Sequence, residues 1–186
     1  MANVKIFRKD ILSDKKYLLE LISYEIKGAL ISREVYHRKE SCAALLIDKN
    51  RKTALLTQQF RLPVFLNGDG EELFECCAGM IEKGETPREC MLREIEEEMG
   101  YQVTEVTKIA EAYYSPAALT EKGHLFIAEY SPAMKKSRGG GKEEEGEYIQ
   151  IIEFTAEELK AKLVAGDFKD AKTIILIQHI LLYNLI

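Results

Sequence analysis

The chain of 186 residues is long enough for one substantial domain with a small appendage, and its 46% hydrophobic and 31% charged residues are typical of a globular protein. A formal net charge of -5 argues against a protein whose main task is to neutralise nucleic-acid phosphates. No apolar run reaches transmembrane length and the N-terminus lacks the apolar core of a signal peptide, so we expect a cytoplasmic protein with neither nucleic acid nor membrane as partner.

The N-terminal residues 1–40 predict a small antiparallel β element. Residues 17–26 and 31–37 are rich in β-branched and aromatic side chains on either side of Lys27-Gly28, which indicates two paired strands. We expect this element to be separate from a main domain that covers residues 41–186.

The main domain begins with a predicted hairpin, residues 42–48 and 53–60. An extended apolar segment follows from Glu71 to Ala78, and Gly79 is expected to break it. Thr86-Pro87 then predicts the start of a helix that runs to about Met99 and stops at Gly100.

The second half of the chain predicts three more strands and two helices. The strands are expected at 105–114, 124–130 and 148–154. Thr155 and Glu158 form a capping box for a helix that ends at Gly166, and a last helix begins near Asp170. Residues 137–147 are too rich in glycine and charge for regular structure, so we expect a loop. The cysteines Cys42, Cys76, Cys77 and Cys90 have no CxxC spacing, which favours buried thiols over a zinc site or a disulfide framework.

The first helix of the main domain crowds negative charge onto one face. Glu94, Glu97 and Glu98 are related as i, i+3 and i+4, which brings their carboxylates within reach of a common point. A solvated acidic face is the ordinary explanation of such a run. Carboxylate oxygens are also the ligands that Mg²⁺ and Mn²⁺ prefer, so the crowding indicates a divalent cation.

The residues around these glutamates follow a fixed spacing, namely Gly79, Glu85, Arg93-Glu94-Ile95, Glu97-Glu98, Gly100 and Tyr101. This segment resembles the signature box of the Nudix hydrolases at every specified position, although an aliphatic residue is commoner than Tyr101. The resemblance implies an α/β/α sandwich around a mixed β-sheet, with metal held by the box and water attacking a phosphoanhydride. In this sequence Glu94 and Glu98 would bind metal, with Glu97 as an additional or water-mediated ligand.

The resemblance assigns further roles near the box. It implies that the carbonyl of Ala78 is another metal ligand and that Arg93 and Glu85 hold the shape of the box. Glu147 is the favoured general base and a further metal ligand, since Glu147-Tyr148-Ile149 matches the end of the family's catalytic loop. Glu144 and Glu145 remain open as alternatives to Glu147.

The resemblance extends along most of the chain to the bacterial GDP-mannose and ADP-ribose pyrophosphatases. Pro116 is similar to the proline that marks ADP-sugar hydrolases, whereas Gly139-Gly140-Gly141 and Lys172 are closer to the GDP-mannose branch. The choice between these two substrates stays open. The residues implied in substrate binding are Tyr17, Arg33, Glu34, Arg61, Glu121 and Lys172.

Tyr17, Arg33 and Glu34 resemble positions that reach across a homodimer to the nucleotide. The leading hypothesis is therefore a Mg²⁺-dependent, dimeric pyrophosphatase of a nucleoside diphosphate sugar. The alternatives are a Nudix-fold sensor that binds ADP-ribose-like ligands without cutting them, and a housecleaning enzyme for nucleoside triphosphates.

Overall fold

The computed structural model of the protein describes residues 3–142, 144, 146 and 148–186. The chain forms two compact units. The first contains the residues up to Glu40 together with Ala112–Gly123, and the second contains Ser41–Glu111 and His124–Ile186. In the described part of the chain, no helix is both long and apolar enough to cross a bilayer.

The first unit contains a three-stranded antiparallel sheet in the order β1 (Val4–Ser13), β2 (Leu19–Ile26) and β3 (Ala29–Tyr36). The predicted pair, β2 and β3, is confirmed, and its tight turn uses Lys27 and Gly28 at φ 52° and 80°. Strand β1 was not predicted. Nearly all of its side chains are exposed, so no buried face imposes a clear alternation on its sequence.

The main sheet is mixed and has seven strands, with a central order of β10-β5-β4-β9-β8 and with β6 on β5 and β7 on β4. Their bounds are β4 (Ser41–Asp48), β5 (Thr53–Phe60), β6 (Glu72–Glu75), β7 (Cys77–Met80), β8 (Thr107–Tyr113), β9 (Lys122–Glu129) and β10 (Gln150–Thr155). Strand β4 is the buried centre of the sheet, since all eight of its residues are buried. The predicted β4–β5 hairpin and the later strands are confirmed.

Helices cover both faces of β4. The four α-helices are α1 (Leu62–Leu66), α2 (Pro87–Glu94), α3 (Ala156–Ala165) and α4 (Ala171–Leu182). Alternate β4 residues, such as Ala44 and Leu46, pack in one core with Met91 of α2. The side chains between them point to the other face, where α4 packs on β4 with Leu176 fully buried. The predicted α/β/α sandwich is therefore confirmed, as are the four free and buried cysteines.

One predicted element is wrong, and another differs in its helical geometry. The extended segment 71–78 is two strands separated at Cys76, and Gly79 does not break it but lies inside β7, opposite Cys42 of β4. The helix predicted to run to Met99 and to stop at Gly100 is confirmed, although it is α-helical only to Glu94. A π-helical turn, Ile95–Met99, completes it before Gly100 at φ 72°.

Candidate active site

The box helix starts with a capping box and ends in the π-helical turn. The Thr86 hydroxyl accepts a hydrogen bond from the Glu89 N–H at 3.3 Å, and the Glu89 carboxylate accepts one from the Thr86 N–H at 2.8 Å. Glu97 and Glu98 lie in the π turn, a wider helical geometry that is frequent at functional sites. Both ends of this glutamate-bearing helix are therefore fixed by the sequence around it.

Glu98 is the most buried of the box glutamates, with 4% of its surface exposed. Its Oε2 accepts a hydrogen bond from the backbone N–H of Ala78 at 3.1 Å. This bond ties the helix to β7 and places the Glu98 carboxylate beside the strand residue whose carbonyl was predicted as a metal ligand.

Arg93 connects the other acidic groups of the box. Its Nε and Nη2 donate to both oxygens of Glu85 at 2.9 and 3.0 Å, a bidentate pair. Its Nη1 donates to Glu94 at 2.7 Å and to Glu97 at 3.3 Å. Arg93 therefore holds the loop before the helix and orients two of the three glutamates.

Gly79 lies directly under the Glu94 side chain. A Cβ atom built on Gly79 would overlap the carboxyl group of Glu94. Strand β7 approaches the helix closely at this point, so there is no room for a side chain at position 79. This lack of room, and not an unusual backbone angle, is the reason for the glycine of the box.

The charged groups of the site change the pKa values of neighbouring side chains. The pKa of the Cys77 thiol is raised well above its usual value, first by burial and then by the charge of Glu98. The hydrogen bond from Arg93 lowers the pKa of Glu85, and the same bond raises the pKa of Arg93. Glu85 and Arg93 are thus held in their charged forms.

The triglycine segment packs on the end of the box helix. Gly140 N–H donates to the Glu98 carbonyl at 2.8 Å, and Gly141 N–H donates to the Glu97 carbonyl at 3.4 Å. Immediately after it, the Lys142 ammonium lies 3.0 Å from Glu97 Oε2. Lys142 has no predicted role, since nothing in the local sequence distinguishes it from other lysines in a charged loop.

A second charged group combines Arg61 and Lys172, both predicted to bind substrate. Arg61 Nε donates to Glu75 Oε2 at 2.6 Å, and Lys172 Nζ lies 3.6 Å from Glu75 Oε1 and 2.5 Å from Asp170. Burial lowers the pKa of Arg61, but Glu75 and then Glu98 outweigh it, so that this pKa is raised.

Lys172 is mostly buried, although a lysine at the start of an amphipathic helix usually faces solvent. Burial alone would lower its pKa, but the Cys76 thiol, Asp170 and Glu75 raise it. Glu75 is thus the acceptor that joins Arg61 and Lys172. This role of Glu75 has no signal in the sequence, because its two partners are distant in the chain.

The first unit brings Tyr17 and Glu121 together through Arg38. The Arg38 guanidinium lies 4.2 Å from the centre of the Tyr17 ring, and its Nε is 3.4 Å from Glu121 Oε2. Arg33 and Glu34 do not join this cluster, since both side chains are exposed on β3. Arg38 was missed because only the folded chain places it between the two predicted residues.

Glu147, the favoured base, and Glu145 lie outside the described residues. Glu144 is described and is exposed. The geometry therefore does not choose among the three acids.

The protein is an α/β sandwich with a cluster of glutamates at the junction between a loop and a helix. This combination of fold and site defines its class. A family model described as the NUDIX domain matches residues 37–174. The GDP-mannose pyrophosphatase of Cronobacter sakazakii is 38% identical over 184 residues, which cover 96% of this chain and 95% of that protein. The GDP-mannose pyrophosphatase of Escherichia coli O157:H7 is 36% identical over 189 residues, with 98% and 97% covered.

A solved structure described as an ADP compounds hydrolase has the same fold. Its TM-score is 0.77 at 16% sequence identity, over 97% of this chain and 94% of that one. The chain belongs to the Nudix family, and it is a hydrolase of that family.

Nudix hydrolases generally use a divalent metal ion such as Mg²⁺. The donor set here is appropriate for such an ion, because Glu94, Glu97 and Glu98 supply hard carboxylate oxygens at one helix end. Among the residues that the structure describes, no three acidic, histidine or cysteine side chains are already gathered as ligands. Glu94 and Glu97 instead turn towards Arg93, and Glu98 accepts from Ala78.

Proposed function

We propose that this chain is a Mg²⁺-dependent hydrolase of a nucleoside diphosphate sugar, with GDP-mannose as the leading substrate. The observation that carries the proposal is the similarity, over nearly the whole chain, to GDP-mannose pyrophosphatases, combined with a complete set of box glutamates. Water adds to one phosphorus of the diphosphate, and the bond from that phosphorus to the bridging oxygen breaks. The products are a nucleoside monophosphate and a sugar phosphate.

In this proposal Glu94, Glu97, Glu98 and the Ala78 carbonyl hold the metal. The bound ion would supply positive charge to the diphosphate and would lower the pKa of the attacking water. Arg93 keeps the glutamate side chains oriented through its bidentate anchor on Glu85. Glu147 accepts the proton of the attacking water.

Arg61 and Lys172 are proposed to bind the diphosphate. Glu75 fixes one edge of the Arg61 guanidinium, while nearly half of the side chain stays exposed and can meet a phosphate. Glu75 and Asp170 hold Lys172 in its charged form beside it. Two oriented cations at one position suit an anionic substrate better than two independent surface charges.

The N-terminal sheet is proposed to form a homodimer and to recognise the nucleotide. Its side chains Ile6, Ile11 and Leu30 are 55%, 65% and 72% exposed, which is costly for a sheet that meets only water. Tyr17, Arg38 and Glu121, with Arg33 and Glu34, are the residues proposed to contact the nucleoside. Light scattering should give a dimer for the wild type and a monomer for Ile11→Lys, whereas a monomeric wild type would contradict this part of the proposal.

ADP-ribose is the second candidate substrate, because Pro116 follows the pattern of ADP-sugar hydrolases. A sensor that binds without cutting would be expected to have lost box glutamates, and all of them are present in this sequence. Turnover of nucleoside triphosphates in place of sugar nucleotides would favour the housecleaning alternative.

The test of the metal site is Glu98→Gln, with Glu96→Gln as its matched control. Glu96 lies in the same turn, but its side chain is exposed and it is not part of the box. With folding intact by circular dichroism, Glu98→Gln should lower turnover in Mg²⁺ at least 100-fold, and Glu96→Gln should stay near the wild type. Activity of Glu98→Gln within a few-fold of the wild type would refute the assignment.

A further inference from the structure

We propose that Lys142 is the exchangeable counter-ion of Glu97, which it holds before the metal binds and from which the metal displaces it. This inference rests on the proposed metal site. It assigns to a residue outside the box a direct influence on metal affinity.

Lys142 is held in place by the backbone that precedes it. The Gly100 carbonyl accepts hydrogen bonds from the N–H groups of Lys136 and Ser137 at 2.8 and 3.2 Å, and Gly140 donates to Glu98. Gly100 and Gly139 both have positive φ, 72° and 68°, and a Cβ on either would overlap the backbone of the opposite segment. Only glycines allow this close contact, which delivers Lys142 to the end of the glutamate helix.

The two cations at Glu97 are held differently. Arg93 is fixed by its bidentate bond to Glu85, and 26% of its side chain is exposed. Lys142 is 45% exposed and lies on the solvent side of Glu97, with 3.0 Å between its ammonium and Oε2. A half-exposed pair of this kind is weak and exchanges readily.

A divalent cation that binds Glu97 through Oε2 competes with the Lys142 ammonium for that oxygen, which also accepts a hydrogen bond from Arg93 at 3.3 Å. Both cations need the same carboxylate lone pairs, and the divalent ion has twice the charge. Lys142 therefore competes with the metal. Metal binding in turn releases Lys142, which immediately precedes the acidic segment 143–147. Metal binding and the release of Lys142 are therefore linked.

The experiment measures Mn²⁺ binding to the full chain without substrate, from the electron paramagnetic resonance signal of free Mn²⁺. Lys142→Gln is compared with Lys136→Gln, which removes the same charge from an exposed side chain in the same segment. Lys142→Gln should lower the Kd for Mn²⁺ about two- to fivefold relative to Lys136→Gln, which corresponds to the usual strength of an exposed ion pair. Lys142→Arg should keep the Kd of the wild type.

The outcomes separate this inference from the proposed function. One outcome is that the wild type binds Mn²⁺, that Glu98→Gln does not, and that Lys142→Gln and Lys136→Gln have the same Kd for Mn²⁺. This outcome refutes the role of Lys142 but leaves the metal site intact. Weaker binding by Lys142→Gln would also refute competition, because Lys142 would then be organising Glu97 for the metal. A wild type that fails to bind Mn²⁺, or Glu98→Gln that binds it equally well, overturns both.

Discussion

The substitution Gly79→Ala should displace a catalytic side chain while leaving the stability of the fold nearly unchanged. Gly79 lies in β7 without a positive φ, so the backbone of an alanine is allowed there. The three atoms nearest to the added methyl group all belong to the Glu94 side chain, which it would overlap. We therefore expect the Glu94 carboxylate to move while β7 and α2 stay in place.

The expected stability change is small because two effects oppose each other. Replacing glycine at a compatible position stabilises by about 0.4–1 kcal/mol through the unfolded chain. Loss of the Glu94–Arg93 hydrogen bond, which is partly exposed, costs about 1 kcal/mol. The melting temperature should then change by no more than about 4 °C for a chain of this size. Activity should fall about 10–100-fold, as expected when a metal ligand loses its orientation.

The assay compares Gly79→Ala, Glu94→Gln and the double variant for Mg²⁺-dependent hydrolysis and for thermal unfolding. If both changes act through the same carboxylate, the double variant should be no slower than the slower single variant. Gly100→Ala is the contrasting control, since its Cβ would overlap the backbone of Ser137 and Gly139 and should destabilise the fold itself. Gly79→Ala activity within threefold of the wild type, or multiplicative losses in the double variant, would refute this reasoning.

Three further predictions concern the remaining acids of the site and Arg93. Arg93→Gln should lower the free energy of unfolding by about 1–3 kcal/mol without metal, because it removes the positively charged partner of the mostly buried carboxylates Glu85 and Glu94. Mg²⁺ should restore part of this loss in thermal unfolding, and equal losses with and without Mg²⁺ would contradict the prediction. Because the pKa of Glu85 is lowered by folding, this group stabilises the protein above about pH 4.3, and the stabilisation is lost as the pH falls through the folded-state pKa. The difference in the free energy of unfolding between the wild type and Glu85→Gln should therefore become smaller in acid. Glu147→Gln should lower kcat and spare Mn²⁺ binding, and the same effect in Glu144→Gln alone would transfer the role of base.

The elements with local signals were predictable from the sequence. Thr86 and Thr155 each begin a capping box, and Gly100 and Gly166 end the corresponding helical segments with φ of 72° and 77°. These signals need only neighbouring residues. The buried strand β4 was equally clear, because a continuous apolar run fits a sheet covered on both faces.

The missed elements depend on contacts that the local sequence does not encode. Strand β1 is paired but exposed, so burial leaves no alternation in its side chains. Gly79 was expected to end a strand, but its pairing with Cys42 on β4 keeps it within one. The π-helical turn could not be predicted from the spacing of the glutamates, because Glu94, Glu97 and Glu98 are close together in both an α-helix and a π-helix.

The candidate site was predictable only as a set of residue types. The spacing of the box indicates a cation site, but the folded chain alone places Arg93 among three carboxylates and Lys142 on Glu97. Likewise, Arg61 and Lys172 meet at Glu75 although they are more than one hundred positions apart in the chain. Such side-chain convergence requires the tertiary structure.

The most direct test of the proposed function is product analysis after incubation with GDP-mannose, with ADP-ribose, other sugar nucleotides and nucleoside triphosphates in parallel. The proposal predicts equimolar GMP and mannose 1-phosphate in Mg²⁺, loss of both products in EDTA, and recovery when Mg²⁺ is returned. Release of GDP and free mannose would place the cut outside the anhydride and contradict the mechanism. Hydrolysis of triphosphates with no turnover of any sugar nucleotide would contradict the proposed substrate class.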